Sequence, residues 1–380
     1  MRTYHRNKQR TGSVLVLTAV MMMVMFGILA LAVDLGYIHV VRSEMQTAAD
    51  ATALAAAWEL IDEDCLTGEG DPPYTIAYCR EVASQFASLN PVAGSPPQLG
   101  EDDVTIGYLS DANGPMCFDD PSRFNAVQIS VRRDGSQNGP VSLFFARVLG
   151  INTFTGQAQA TAMFLNNFAG FTTPPDGGNL QMLPLALDQE TWNDLLAGNA
   201  SDDWTWNPGS EDAPGYVSDG PDGVLEVNLF PQGMGAPGNR GTVDVGNNNN
   251  STNDIARQIL HGISEEDLAY HGGSLEFDEN GELILNGDTG ISAGMKDELA
   301  TVKGQPRIIP VFSQVQGNGN NAYYTIVGFA GVRIMEVNLT GQISSKRVII
   351  QPAMIQVTGG IPASGDPTSY FVHSPVWLVR

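Results

Sequence analysis

Five histidines are what this chain offers for acid–base or metal chemistry near neutral pH, and two of them, His5 and His39, belong to an N-terminal leader and helix. His261 and His271 bracket Glu265, Glu266 and Asp267, all metal-ligand types. Their spacing fits neither His-Glu-x-x-His nor a zinc finger, so solvated side chains near a helix end are the better reading. The sequence contains no Gly-x-Ser-x-Gly elbow, Walker loop or dinucleotide fingerprint. Hard-cation chemistry has more material. Asp219, Asp222 and Glu226, and further on Asp278, Asn280, Glu282 and Asp288, set oxygen ligands on glycine turns, as calcium requires. Neither group follows the EF-hand pattern, and ordinary Asp/Gly turns between strands account for both equally well. The sequence assigns no catalytic residue, no cofactor and no metal. Trp204 and Trp206 are either an exposed carbohydrate- or protein-binding pair or core residues.

The cysteines are Cys65, Cys79 and Cys117. Cys65 and Cys79 flank an acidic, proline-containing segment, and a bridge between them would close a loop of about fifteen residues, worth ~3 kcal/mol in the chain-entropy model. Pairings of Cys117 with either remain open, and no Cys-x-x-Cys supports zinc.

Charge excludes one class of partner. Arg2, Arg6, Lys8 and Arg10 are four of the 19 Lys+Arg, so the rest of the chain holds 15 against all 42 Asp+Glu, about 27 net negative charges. Such a field repels nucleic acid, and anionic lipid headgroups with it, and keeps an exported body soluble.

The elements that must position everything else begin at residues 10–61. Val14–Val33 is twenty residues without a charge, with Thr18 its one side-chain hydrogen-bonder. A bilayer core of ~30 Å needs ~20 such residues at 1.5 Å each. The basic leader precedes the run and Asp34 is the first charge after it, so the positive-inside rule predicts a cytoplasmic N-terminus and an exported body. The competing reading, a signal peptide cut after Ala30-Leu31-Ala32, has an apolar region too long for that role. Between Asp34 and Ile61 there is no proline and one glycine, Gly36, and alanine abounds. One helix from 14 to 61 is predicted, ~72 Å long. Its upper half carries a small-residue stripe, Ala49, Thr52/Ala53 and Ala56, suited to close packing on another helix.

Arg10, Gly12, Ser13, Asp34, Gly36, Tyr37, Arg42, Gln46, Ala49, Asp50, Ala53, Leu54 and Ala55, in that order around the apolar run, resemble the N-terminal segment of Tad (tight adherence) pilus-assembly proteins of the TadE/TadG kind. The resemblance implies a membrane anchor in a machine that builds thin adhesive fibres, with the other Tad/Flp apparatus proteins and the cytoplasmic membrane as partners and no enzymatic role. Family prepilins carry a glutamate five residues into the mature helix. Leu17 stands there here, which implies a permanent anchor rather than a processed fibre subunit. TadG-type proteins often add a von Willebrand A domain with Asp-x-Ser-x-Ser; this sequence has no such motif. The alternative left open is a membrane-tethered adhesion or ligand-binding module unrelated to pili.

Beyond the helix the pattern predicts an α+β protein. A small α+β domain is expected at 62–166, with a helix over 76–89 and strands near 104–109, 126–131 and 156–164. Its PVSLFFARVLGINTFTGQAQATA segment, with Phe144, Phe145, Leu149 and Gly150, is similar to the domain that follows the anchor in Tad-like proteins. Residues 167–180, with two prolines and three glycines, read as a linker. A larger, mostly antiparallel β domain is expected at 181–380, its clearest part a meander of strands 307–312, 323–329, 332–339, 347–350 and 353–357. Asp188 is expected to cap one short helix and Asn253 or Asp254 another.

Overall fold

The computed structural model describes residues 13–210, 213–229, 240–246, 251–317, 319–342, 345–363 and 365–379. The basic leader, with Arg10 and Gly12, and most of the glycine/asparagine tract at 231–253 lie outside the described residues.

The predicted long helix is one unbroken element, α1 (Ser13–Trp58). Its two halves meet different surroundings. From Val14 to Val33 nearly every side chain is exposed, and the apolar window that qualifies the helix to cross a membrane is not buried at all. From Val41 on, one face is buried completely: Val41, Met45, Ala48, Ala49, Ala53, Ala56 and Ala57. The stripe expected to receive a partner helix is therefore occupied by the chain itself. It packs on α2 (Pro72–Leu89) and on the strands Ala126–Arg133 and Gly156–Met163. Alanine makes this geometry, because a helix lined with methyl groups can lie close against a flat sheet.

Helix α2 begins with Pro72 and Pro73 at its first positions, where a missing N–H costs nothing. It buries Cys79, Val82, Ala83 and Ala87. The sheet beneath α1 has the order Val104–Gly107, Ala126–Arg133, Gly156–Met163 and Trp377–Leu378, all antiparallel. Its fourth strand comes from the far C-terminus, so the tail returns to the first unit.

The second sheet has eight strands and partly closes on itself. Pro306–Gln316 pairs with Ala322–Asn338 on one edge and, in parallel, with Leu185–Asp188 on the other. Leu185–Asp188 continues through Arg240–Val243 and Leu283–Asp288 back to Ala322–Asn338, completing a five-stranded ring. Alternation along these strands serves two cores. Leu185, Leu187, Ile309 and Val311 face a layer with Trp192, Ile255, Ile259 and Leu299 from short helices, while Ala186, Ile308, Phe312 and Tyr324 face the other side. Closure brings backbones together at Gly241 and Gly287, where a Cβ would stand 2.1 Å from the Asp288 carbonyl and 2.3 Å from that of Thr242. The whole is α+β, with the strands mostly antiparallel.

Three expectations change. Residues 167–180 are not a plain linker: Phe168–Thr172 is a strand between Ser274–Glu276 and Gly360–Pro362, and Phe168 and Phe171 are fully buried. The strands expected at 323–329 and 332–339 are one, Ala322–Asn338. The cap of the helix Thr252–His261 is Ser251, not Asn253 or Asp254, whereas Asp188 caps Gln189–Leu196 by accepting from the Thr191 N–H.

Candidate functional site

Several of the family-like residues of α1 contact the body, starting where the exposed apolar half ends. Asp34 is 2% exposed. One of its carboxylate oxygens accepts the Phe144 N–H at 2.9 Å, and the other accepts those of Phe145 at 2.9 Å and Ala146 at 2.5 Å. The reason lies in the partner. Ala146–Leu149 is a 3-10 turn whose own N-cap, Phe145, has no side chain able to cap it. The first N–H groups of such a turn lack internal acceptors, and a carboxylate from another element supplies them. Gly150, at φ 85°, ends the turn in the left-handed region that suits glycine.

One turn further along α1, Tyr37 meets Phe144 edge to face, with ring centroids 5.1 Å apart. The Arg42 guanidinium lies 5.3 Å from the Phe154 ring centroid. Glu44, which lies within the same motif, accepts the Ala93 N–H at 2.7 Å. The Gln46 amide donates to Asp50 and to the Gln159 carbonyl. Ala49 and Ala53 are wholly buried, while Asp50, Leu54 and Ala55 are half-buried. Gly36 is exposed and a Cβ there would meet nothing within 4 Å, so no contact within this chain requires it. Ser13 opens the helix. The motif thus reads as a clamp that fixes the body to the outer end of the apolar half. What it leaves uncovered is α1 below Asp34 together with the exposed turn at Phe144–Ile151.

The expected bridge between Cys65 and Cys79 is not formed, and all three cysteines are free thiols. Cys79 is buried against α1 and donates to the Ala56 carbonyl at 3.0 Å, whereas Cys65 donates to the Asp62 carbonyl at 2.8 Å. Burial pushes both thiols up to about 12, with the Asp62 charge adding to the effect at Cys65 and the Arg80 charge opposing it at Cys79. Only the thiolate is nucleophilic. Alkylation of the native protein at pH 8, followed by mass spectrometry, is expected to modify Cys117 first, Cys65 slowly and Cys79 only after denaturation.

The other candidates are structural. Among the described residues the histidines join no group with metal-ligand closeness. Asp267 forms a salt bridge with Arg257 at 2.6 Å and a capping box with Ser264, while His271 is held below its ordinary pKa by burial, against the pull of Asp244 and Asp267. Asp278 closes its own turn by accepting from Asn280 and Glu282. The Trp pair is half-buried in the hairpin 204–219, with Lys303 over Trp204 and Arg333 over Trp206.

One acidic group does come together, Asp202, Asp222 and Glu226, each offering an oxygen within 4.8 Å of the others. Asp222 and Glu226 were legible in the sequence; Asp202 replaces Asp219. All three are already engaged by backbone donors. Asp202 accepts from Asp222 and Gly223, Asp222 from Trp206 and Val224, and Glu226 from Asp203 and Trp204. These bonds staple a glycine-rich loop. Burial raises the Glu226 carboxyl to about 7, its two N–H donors oppose the shift, and Asp202 and Asp222 add to it. The folded state therefore holds this proton more tightly than the unfolded chain. The stability it contributes is complete below the ordinary value of 4.5 and is lost as pH climbs through about 7. Glu226→Gln should melt below wild type at pH 5, having lost an acceptor for one N–H, and should close that gap by pH 8. A gap that stays constant across this range would show that Glu226 does not titrate there.

Residues 12–59 match a family model described as putative Flp pilus-assembly TadE/G-like, and residues 39–162 match one described as putative Tad-like Flp pilus-assembly. The two overlap on the clamp half of α1. No curated protein and no solved structure matches the chain.

Proposed function

We propose that this chain, which matches Tad/Flp pilus-assembly family models over residues 12–162, serves as a non-enzymatic, single-pass component of the pilus assembly or secretion apparatus. In this reading α1 anchors it in the bacterial cytoplasmic membrane, with the basic leader inside and the acidic body outside. The observation that carries the proposal is the division of α1 at Asp34. Below it the helix is bare, apolar and long enough to span; above it the helix is built into the body's own core. The alanine-lined face of the upper helix is therefore not free to bind another subunit, while its opposite side, with Leu35, Val40 and Trp58, stays exposed. Contacts with the apparatus are made by residues 14–33 within the bilayer and by the outer surface of the body. Leu17, in place of the prepilin glutamate, supports a permanent anchor at the base of the machine.

Photo-cross-linking from Met22, an exposed position midway along the apolar half, tests this in the native membrane. Pilus-secretion subunits are expected among the cross-linked neighbours, and their complete absence would count against the apparatus role. A mature N-terminus at Ser13 would turn the permanent anchor into a processed subunit.

A further inference from the structure

We propose that the turn at residues 144–151 is a second membrane contact, dipping into the outer leaflet beside the spanning helix. It rests on the reading of residues 14–33 as a span. The turn is unusual in what it shows to solvent: Phe144 is 61% exposed, Val148 89%, Leu149 71% and Ile151 55%. Large apolar side chains this concentrated and this exposed mark an interaction surface.

Position identifies the occupant. Asp34 holds the backbone of Phe144–Ala146 at the upper boundary of the apolar half. From there the turn reaches back along the helix, and Phe145, Val148 and Leu149 line one open cleft with Phe26, Leu29 and Val33. Phe26 lies eight residues below Asp34, ~12 Å along the axis at 1.5 Å per residue. The turn therefore lies at the depth of the upper part of the span. Whatever surrounds Phe26–Val33 also surrounds the turn, and for a span that medium is lipid.

Charge agrees. In a chain of net charge −23, residues 135–175 contain no Asp or Glu, and their one charged residue is Arg147, within the turn. A region that approaches anionic headgroups must lack acid, and an arginine there can extend along apolar surface to reach a phosphate. Two attachments, helix and turn, would fix the tilt of the body on the membrane, which a single helix leaves free.

The test uses the full chain in phosphatidylethanolamine–phosphatidylglycerol vesicles, with Cys65→Ser and Cys117→Ser and buried Cys79 retained. An environment-sensitive fluorophore is placed singly by Val148→Cys, by Leu29→Cys in the span and by Tyr270→Cys on the body, all exposed positions. The label at Val148 is expected to emit to the blue of that at Tyr270 and to be quenched by acyl-chain nitroxide lipids as strongly as that at Leu29. Water-like emission at Val148 with Leu29 quenched overturns the proposal and leaves the span intact. Blue-shifted but unquenched emission also overturns it, because a second copy then covers the turn. An unquenched label at Leu29 overturns the span and this proposal with it.

Discussion

Replacing Asp34 by alanine is expected to destabilise the full-length protein and to release the turn at Phe144–Leu149 from α1. A hydrogen bond to a charged group contributes about 1.5–3 kcal/mol, and losing a helix cap costs about 0.5–2. Asp34 makes three such bonds. They do not sum, because the freed N–H groups sit in a turn with exposed neighbours and water takes some of them back. Asp34→Asn retains one acceptor oxygen and should fall between. Amide exchange gives the sharper readout. The Phe144, Phe145 and Ala146 amides should exchange much faster in Asp34→Ala, while amides of the strand Leu283–Asp288 in the other sheet stay protected. Unchanged protection at these three amides would mean that the carboxylate does not hold the turn.

Asp34 also shows where sequence reading stops. Its place at the end of an apolar run, followed by Gly36 and Tyr37, was legible and marked it as part of a family motif. Its partner lies 110 residues away, in a segment that carries a family likeness of its own but no sign of what it touches. Nothing in the periodicity of either stretch joins them. The small-residue stripe was legible only in part for a related reason: alanines at three- and four-residue steps announce close packing on another helix, which α2 provides, without saying that a sheet receives them too. Composition misled at residues 167–180, where a cluster of proline and glycine outweighed Phe168 and Phe171, both core residues. Gly331 lies between the two strands expected at 323–329 and 332–339, inside what is one strand. Its role is close approach, since a Cβ there would lie 2.4 Å from the Ala353 carbonyl and 2.5 Å from that of Phe371. What was legible was periodic and local: the long helix, a helix over 76–89 that in fact starts at Pro72, the strands near 104–109, 126–131 and 156–164, and the meander through 350, whereas the strand expected at 353–357 is Ile355–Gln356, paired in parallel with Val372–His373. The ring closure and the return of the tail to the first sheet are contacts of long sequence separation, which one chain's pattern does not encode.

The same stripe carries the second large effect. Ala53 is completely buried where α1 packs on the sheet and α2, and Ala53→Leu adds three carbons to a filled, alanine-rich cluster. Overpacking of a filled core costs about 1–3 kcal/mol when side chains can rearrange. Here the cost belongs at the upper end, because the cluster around this face includes Ala83, Ala160 and Ala162 on the facing elements, which have no rotamers to change. Ala55→Leu, at a half-buried position of the same helix, is the control for helix propensity and added bulk, and should stay within about 0.5 kcal/mol of wild type. Denaturant unfolding of the full chain in one detergent, followed at the tryptophans, measures both. Ala53→Leu should lower the midpoint without changing the slope, and Ala55→Leu should leave both alone. Equal midpoints for the two variants would mean that the stripe does not bear on the body, and the upper half of α1 would then be free for the partner helix that its sequence alone suggested.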